Sequence, residues 1–98
     1  MDERYYPSER MREKLDAMSV PADQQDVMTL LALLPGSFHF QGRTYNILMT
    51  HILDYTFSYR DGGGELFREG DSRFADAVAK TIIYLLERKI ISVQQKAD

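Results

Sequence analysis

The chain has no cysteine and no tryptophan, and only two histidines and three prolines in 98 residues. Without cysteine there is no disulfide framework, no thiolate zinc site and no cysteine nucleophile, a composition suited to a reducing compartment. Two histidines leave a metal centre short of the three or four ligands it wants in recognisable spacing. Long hydrophobic runs are also missing. The longest apolar cluster, Leu30 to Leu34, falls far below the roughly 20 residues that span a bilayer. Met1-Asp2-Glu3-Arg4 opens the chain without an apolar leader. These absences lead to the expectation of a cytoplasmic, unprocessed protein with no membrane partner. Nor is there an excess of positive charge. Twelve basic against fifteen acidic side chains give a net charge of −3, which disfavours the phosphate attraction behind non-specific nucleic-acid binding. The charge is uneven, with residues 1–72 at −5 and residues 73–98 at +2, so any basic surface is expected in the C-terminal part.

What is present suits one small domain: 44% hydrophobic and 28% charged residues, within the globular range. Residues 1–7 read as an extended arm, residues 8–93 as the folded core and residues 94–98 as a frayed tail. Ser8 is a plausible N-cap, and Met11, Leu15 and Met18 recur on one helical stripe, with Arg12 and Asp16 expected to pair on the other face. Val20-Pro21 restarts the chain into a second helix reaching about Leu34, whose apolar residues cover more than a narrow stripe. Pro35-Gly36 stops it, and Ser37 to Gln41 alternates as a short strand, followed by Gly42 as a turn signal.

Two periods fit Thr44 to Tyr59. As a strand, Tyr45, Ile47, Met49, His51, Leu53, Tyr55, Phe57 and Tyr59 share one face; as a helix, Tyr45, Leu48, Met49, Ile52 and Leu53 do. Length favours the helix, because strands usually run about five or six residues, but Thr56-Phe57-Ser58-Tyr59 has strand-like composition, so a helix followed by a strand is also open. Asp61-Gly62-Gly63-Gly64 breaks the chain, and Arg60 to Asp71 reads as a loop anchored by Leu66-Phe67. Asp71 or Ser72 then caps a long helix burying Phe74, Ala75, Val78, Ile82, Leu85 and Leu86, with Asp76 and Lys80 paired four apart. The β-branched run Ile90-Ile91-Ser92-Val93 is expected to end the fold as a strand. The fold class expected is α+β but mainly helical: about four helices with a short two-strand element.

Few residues could carry chemistry. His51 and Asp54, three apart, share a face if the segment is helical and could be drawn as an acid-base couple or ligand pair, but no nucleophile or further ligand accompanies them. The triple glycine lacks the Gly-Lys-Ser/Thr of a phosphate loop and is flanked by Glu65, Glu69 and Asp71. No catalytic residue, cofactor or metal is therefore expected. Aromatics are more suggestive: six tyrosines and five phenylalanines, with eight arginines to four lysines, a composition found at protein interfaces and equally at the rim of a small core.

The run from Phe74 to Val93, Phe-Ala-Asp-Ala-Val-Ala-Lys-Thr-Ile-Ile-Tyr-Leu-Leu-Glu-Arg-Lys-Ile-Ile-Ser-Val, resembles the third helix and following strand of winged helix-turn-helix domains. Lys89 stands where that family has a glycine. The resemblance implies a truncated winged-helix-like architecture whose recognition helix presents Arg73, Asp76, Lys80, Tyr84 and Arg88 to a major groove. Asp76 opposes such a contact and the flanking positive charge is thin. The leading expectation is therefore a non-enzymatic regulator, inhibitor or adaptor that binds another protein through Tyr55, Tyr59, Tyr84, Arg73, Lys80 and Arg88. The alternative is a dimeric DNA-binding regulator, a homodimer being needed to gather enough positive charge.

Overall fold

In the computed structural model, which describes residues 5–93, Ser8 caps helix α1 (Glu9–Ala17) by accepting the Met11 N–H at 3.5 Å. The tail expected at 94–98 and the first four positions of the expected arm lie outside the described residues. Helix α1 buries Met11 and Leu15 and ends in a left-handed residue, Ser19 (φ 67°). There the Ser19 N–H donates to the Asp16 carbonyl and the Val20 N–H to the Leu15 carbonyl, both at 3.0 Å. This is the pairing of a Schellman stop, which usually uses glycine at that position.

The single helix expected from Pro21 is broken in two, a 3-10 turn (Ala22–Gln24) and helix α2 (Val27–Leu33). At the break the buried Gln25 side chain donates to the Asp16 carboxylate at 2.6 Å and the Val20 carbonyl at 2.9 Å. Asp16, expected opposite Arg12, is thus held by Gln25. Asp26 restarts the helix by accepting the Thr29 N–H at 3.1 Å and its hydroxyl at 2.6 Å.

Strand β1 (Ser37–Phe40) follows where alternation places it. Gln41 (φ 51°) and Gly42 (φ 80°) then form a two-residue turn with both φ positive, the geometry whose twist matches a hairpin. Strands β2 (Arg43–His51), β3 (Tyr55–Asp61) and β4 (Gly64–Asp71) complete an antiparallel sheet in the order β1-β2-β3-β4, and helix α3 (Phe74–Glu87) follows.

Four expectations are overturned. Among the described residues, the mainly helical, truncated winged-helix-like architecture of about four helices and a short two-strand element gives way to three α-helices and a four-stranded antiparallel sheet. Thr44 to Tyr59 is not a helix but most of β2, a tight loop and the first part of β3, with Ile47 opposite Tyr59 and His51 opposite Tyr55. The period-two face wins because Tyr45, Phe57 and Tyr59 are needed together on the core side. The Arg60–Asp71 loop is the β3–β4 hairpin. The Asp61 carboxylate accepts the N–H groups of Gly63 and Gly64, both at 2.8 Å, and Leu66 is the extra residue of a bulge opposite Tyr59 and Arg60. Finally, Ile90 to Val93 forms no strand. Lys89 is left-handed (φ 60°), the Ile90 N–H donates to the Leu85 carbonyl at 2.9 Å, and the chain folds back so that Ile90 and Ile91 join the core.

The core lies between one face of the sheet and the helices. Helix α3 packs on β3 and β4, while α1 and α2 pack on α3. Ten of its fourteen residues are buried. One cluster joins Met11, Leu15, Val27 and Leu30 to Val78, Ile82 and Phe57. A second joins Tyr45, Tyr59, Phe67 and Leu85. Tyr59, wholly buried, donates its hydroxyl to the Pro35 carbonyl at 2.8 Å, and burial raises its pKa well above the ordinary tyrosine value. The opposite sheet face carries exposed Ser37, His39, Thr44, Asn46, Thr50, Arg60 and Arg68.

Tyr59→Phe removes one hydrogen bond and strands the Pro35 carbonyl, so urea denaturation should show a loss of about 1–2 kcal/mol. Lys89→Gly should act in the opposite direction. Relief of the left-handed conformation is worth ~1–2 kcal/mol and the greater freedom of glycine in the unfolded chain costs ~0.5–1 kcal/mol, leaving a gain of about 0.5–1 kcal/mol.

Candidate interaction surface

The residues expected to contact a partner are distributed along α3 and β3. Near the C-terminal end of α3, Tyr84 stacks on Phe67 at 3.8 Å between ring centroids, and the Arg88 guanidinium lies 5.0 Å above the Tyr84 ring. Lys80 does not pair with Asp76 as expected. Its ammonium reaches Asp71 at 2.9 Å and the Gly70 carbonyl at 3.1 Å, tying α3 to the end of β4. Asp76 is buried and accepts the Ser8 N–H at 2.6 Å, joining the N-terminal ends of α1 and α3. Arg73, next to the start of α3, approaches Asp76 at 4.0 Å. A shallow depression of about 210 Å³ beside Lys80 and Tyr84 is edged by Lys14, Glu69 and Glu87. Its charges are of both signs.

Tyr55 lies at the other end of α3. It stacks on His51 at 3.8 Å and meets Phe74 edge-on at 5.2 Å. Phe74 and Tyr84 are ten residues apart on the helix, about 15 Å at 1.5 Å per residue. Tyr59 is buried between the two ends. Tyr55, Tyr59 and Tyr84 therefore do not converge on one exposed patch.

A different surface stands out at the β2–β3 turn. Ile52 is 90% exposed and Leu53 89% exposed. Met49 points to the helix side of the sheet yet is 51% exposed, and Leu48, on the other face, is 44% exposed. These positions combine apolar side chains with an open strand edge. Strand β1 pairs with β2 only from Arg43 to Asn46, and one further bond runs from the Ile47 N–H to the Gly36 carbonyl at 3.0 Å. Alternation along an antiparallel strand then aims the N–H and C=O groups of Met49 and His51 outward on that same side, where no strand of the described residues lies beside them. From Thr44 to Leu53 no Asp, Glu, Lys or Arg interrupts the segment. Met49, Ile52 and Leu53 appear in the helical reading of the sequence only as a core face. The signal in the strand reading is that Leu48 and Ile52 fall on its polar side, where no core receives them.

Among the described residues no group of three or more acidic or histidine side chains could hold a metal ion, and no helix is long and apolar enough to cross a membrane. His39 shares a 2.8 Å hydrogen bond with the Thr44 hydroxyl, and His51 is the stacking partner of Tyr55. Comparison with protein families, curated proteins and solved structures finds no match to this chain.

The contact between α3 and β4 carries a pH dependence. At Asp71 burial, the largest single influence, opposes the charge, but the Arg73 N–H and the Lys80 ammonium together outweigh it and hold the pKa below the ordinary carboxylate value. At Asp26 the Thr29 hydroxyl, ahead of backbone N–H groups, does the same against burial. Both carboxylates are lowered by folding, so their stabilisation is complete above the unfolded pKa of about 4 and is lost as the pH falls through the folded value. The urea midpoint should decline on acidification below about pH 5, and Asp71→Asn should flatten part of that decline.

Proposed function

We propose that this chain is a non-enzymatic protein-binding module whose docking surface is the open end of the sheet, formed by the outer edge of β2 and the Ile52-Leu53 turn. The observation that carries this reading is the exposure of two adjacent large aliphatic side chains beside an uncharged strand edge that no other strand of the described residues pairs. Hydrophobic surface gathered beside unpaired backbone groups is the arrangement used in strand addition, in which main-chain bonds supply affinity and alternate side chains supply selectivity. Tyr55 and Phe74 form the wall of this surface on the helix side, and His51 lies over Tyr55.

The Tyr84, Arg88 and Lys80 surface is a weaker candidate. Its aromatic ring, guanidinium and ammonium already have partners within the chain. The function that follows is that of a regulator or adaptor holding an extended apolar segment. Random peptides displayed against the immobilised full chain should enrich uncharged, β-branched or aromatic segments. Leu53→Asp should weaken their binding at least about tenfold while changing stability by no more than about 0.5 kcal/mol, because the side chain is exposed. Enriched peptides that bind Leu53→Asp as well as the parent chain would contradict the reading.

A further inference from the structure

The edges of β1 and β4 and the part of β2 that β1 leaves uncovered are not equivalent. Strand β1 is short and follows Pro35 directly after Gly36, and β4 carries Glu65, Arg68, Glu69 and Asp71. Charge, brevity and proline are the usual means by which a strand edge is kept from pairing with another chain. The second half of β2 is short too, but it has neither charge nor proline. It is uncharged, and it ends in the two most exposed aliphatic side chains among the described residues.

We infer that the occupant of this edge is a second copy of the chain, added antiparallel along β2 so that the two sheets become one. This rests on the reading of the open edge as a docking strand and names what docks there. The outward-facing groups of Met49 and His51 set the register. A two-fold axis at Thr50 places Met49 opposite the other copy's His51, and each such pair exchanges both of its backbone bonds. An uncharged strand meets itself without like-charge repulsion.

The area agrees. The exposed portions of Leu48, Met49, Ile52 and Leu53 amount to about 500 Å² per copy, so their complete burial in two copies would supply at most about 1,000 Å², the lower bound for a specific interface. In this arrangement the Ile52-Leu53 turn of each copy lies beside the Pro35-Gly36 step of the other, where β1 stops.

The absence of cysteine provides a clean test. In the proposed register Thr50 faces its own counterpart across a non-hydrogen-bonded pair, with Cα atoms about 4.5 Å apart, within disulfide range. Thr50→Cys in the full chain should oxidise to a covalent dimer, whereas Asn46→Cys, on the same face but alongside β1, should not. Sedimentation of the parent chain up to about 1 mM should show a monomer-dimer equilibrium, and Leu53→Asp should raise its dissociation constant at least tenfold.

A chain that stays monomeric throughout that range, or a dimer that neither Leu53→Asp weakens nor Thr50→Cys traps, overturns the inference. Peptide binding by a strictly monomeric chain would overturn it while leaving the docking strand standing. Absence of both would overturn the two together. Attachment of the monomer to phosphatidylcholine-phosphatidylserine vesicles through Ile52 and Leu53 would also overturn it, since a lipid surface would then be the occupant.

Discussion

The structure depends on the burial of α3 against the sheet and against α1 and α2 at once. A helix that packs on several sides needs small residues where neighbours come closest, and Ala75, Ala77, Ala79 and Thr81 are all buried, with the Thr81 hydroxyl donating to the Ala77 carbonyl at 2.8 Å. The larger residues Val78, Ile82, Leu85 and Leu86 fill the space between. The ends of α3 are fixed by the rest of the chain. Asp76 holds the start of α1, Lys80 holds the end of β4, and the left-handed Lys89 returns the chain over the core.

That constraint also determines what remains uncovered. Helix α3 spans fourteen residues, about 21 Å, and β2 nine residues, about 30 Å. Helix α3 packs chiefly over β3 and β4 rather than over β2. It stops at Phe74, which touches Tyr55 and Phe57. Met49, across from Phe57 on β2, points to the same side of the sheet but lies at the flank of this layer and stays half exposed. The exposed apolar surface on β2 is thus a consequence of where the helix layer sits as well as of local sequence.

The two longer α-helices and β1 were legible because one period dominates each, with Ser8 and Pro35-Gly36 marking boundaries. Thr44 to Tyr59 was not, for a physical reason that bears on the surface itself. A half-buried strand has polar residues on its outer face, but here Leu48 and Ile52 fall on that face, and Leu53 follows at once. The apolar residues that the sheet leaves exposed are the ones that complete a helical stripe in the sequence. Strand β4 was hidden for the converse reason. Its charges and flanking glycines resemble a loop because it is an edge strand, and the bulge at Leu66 interrupts its alternation. Ile90 and Ile91 have strand composition, but the preceding helix stop leaves them packed inward without a neighbouring strand.

The aromatic content pointed to interfaces, and most of it is used inside the molecule. Phe38, Tyr45, Tyr59, Phe67 and Tyr84 form a connected series of ring contacts across the sheet, with centroid separations from 3.8 to 5.7 Å. A domain of this size has little aliphatic volume to close a core over four strands, and large rings supply area with few torsions to order. Composition therefore could not separate rings that bind from rings that pack. Strand pairing could, because it shows which backbone groups lack a neighbour. The uncharged half of β2 combines that lack with aliphatic exposure, and contact along it would shield both kinds of group from water. A cover that contacted only Ile52 and Leu53 would leave the Met49 and His51 edge hydrated, whereas an added strand satisfies the edge and buries the side chains in the same step.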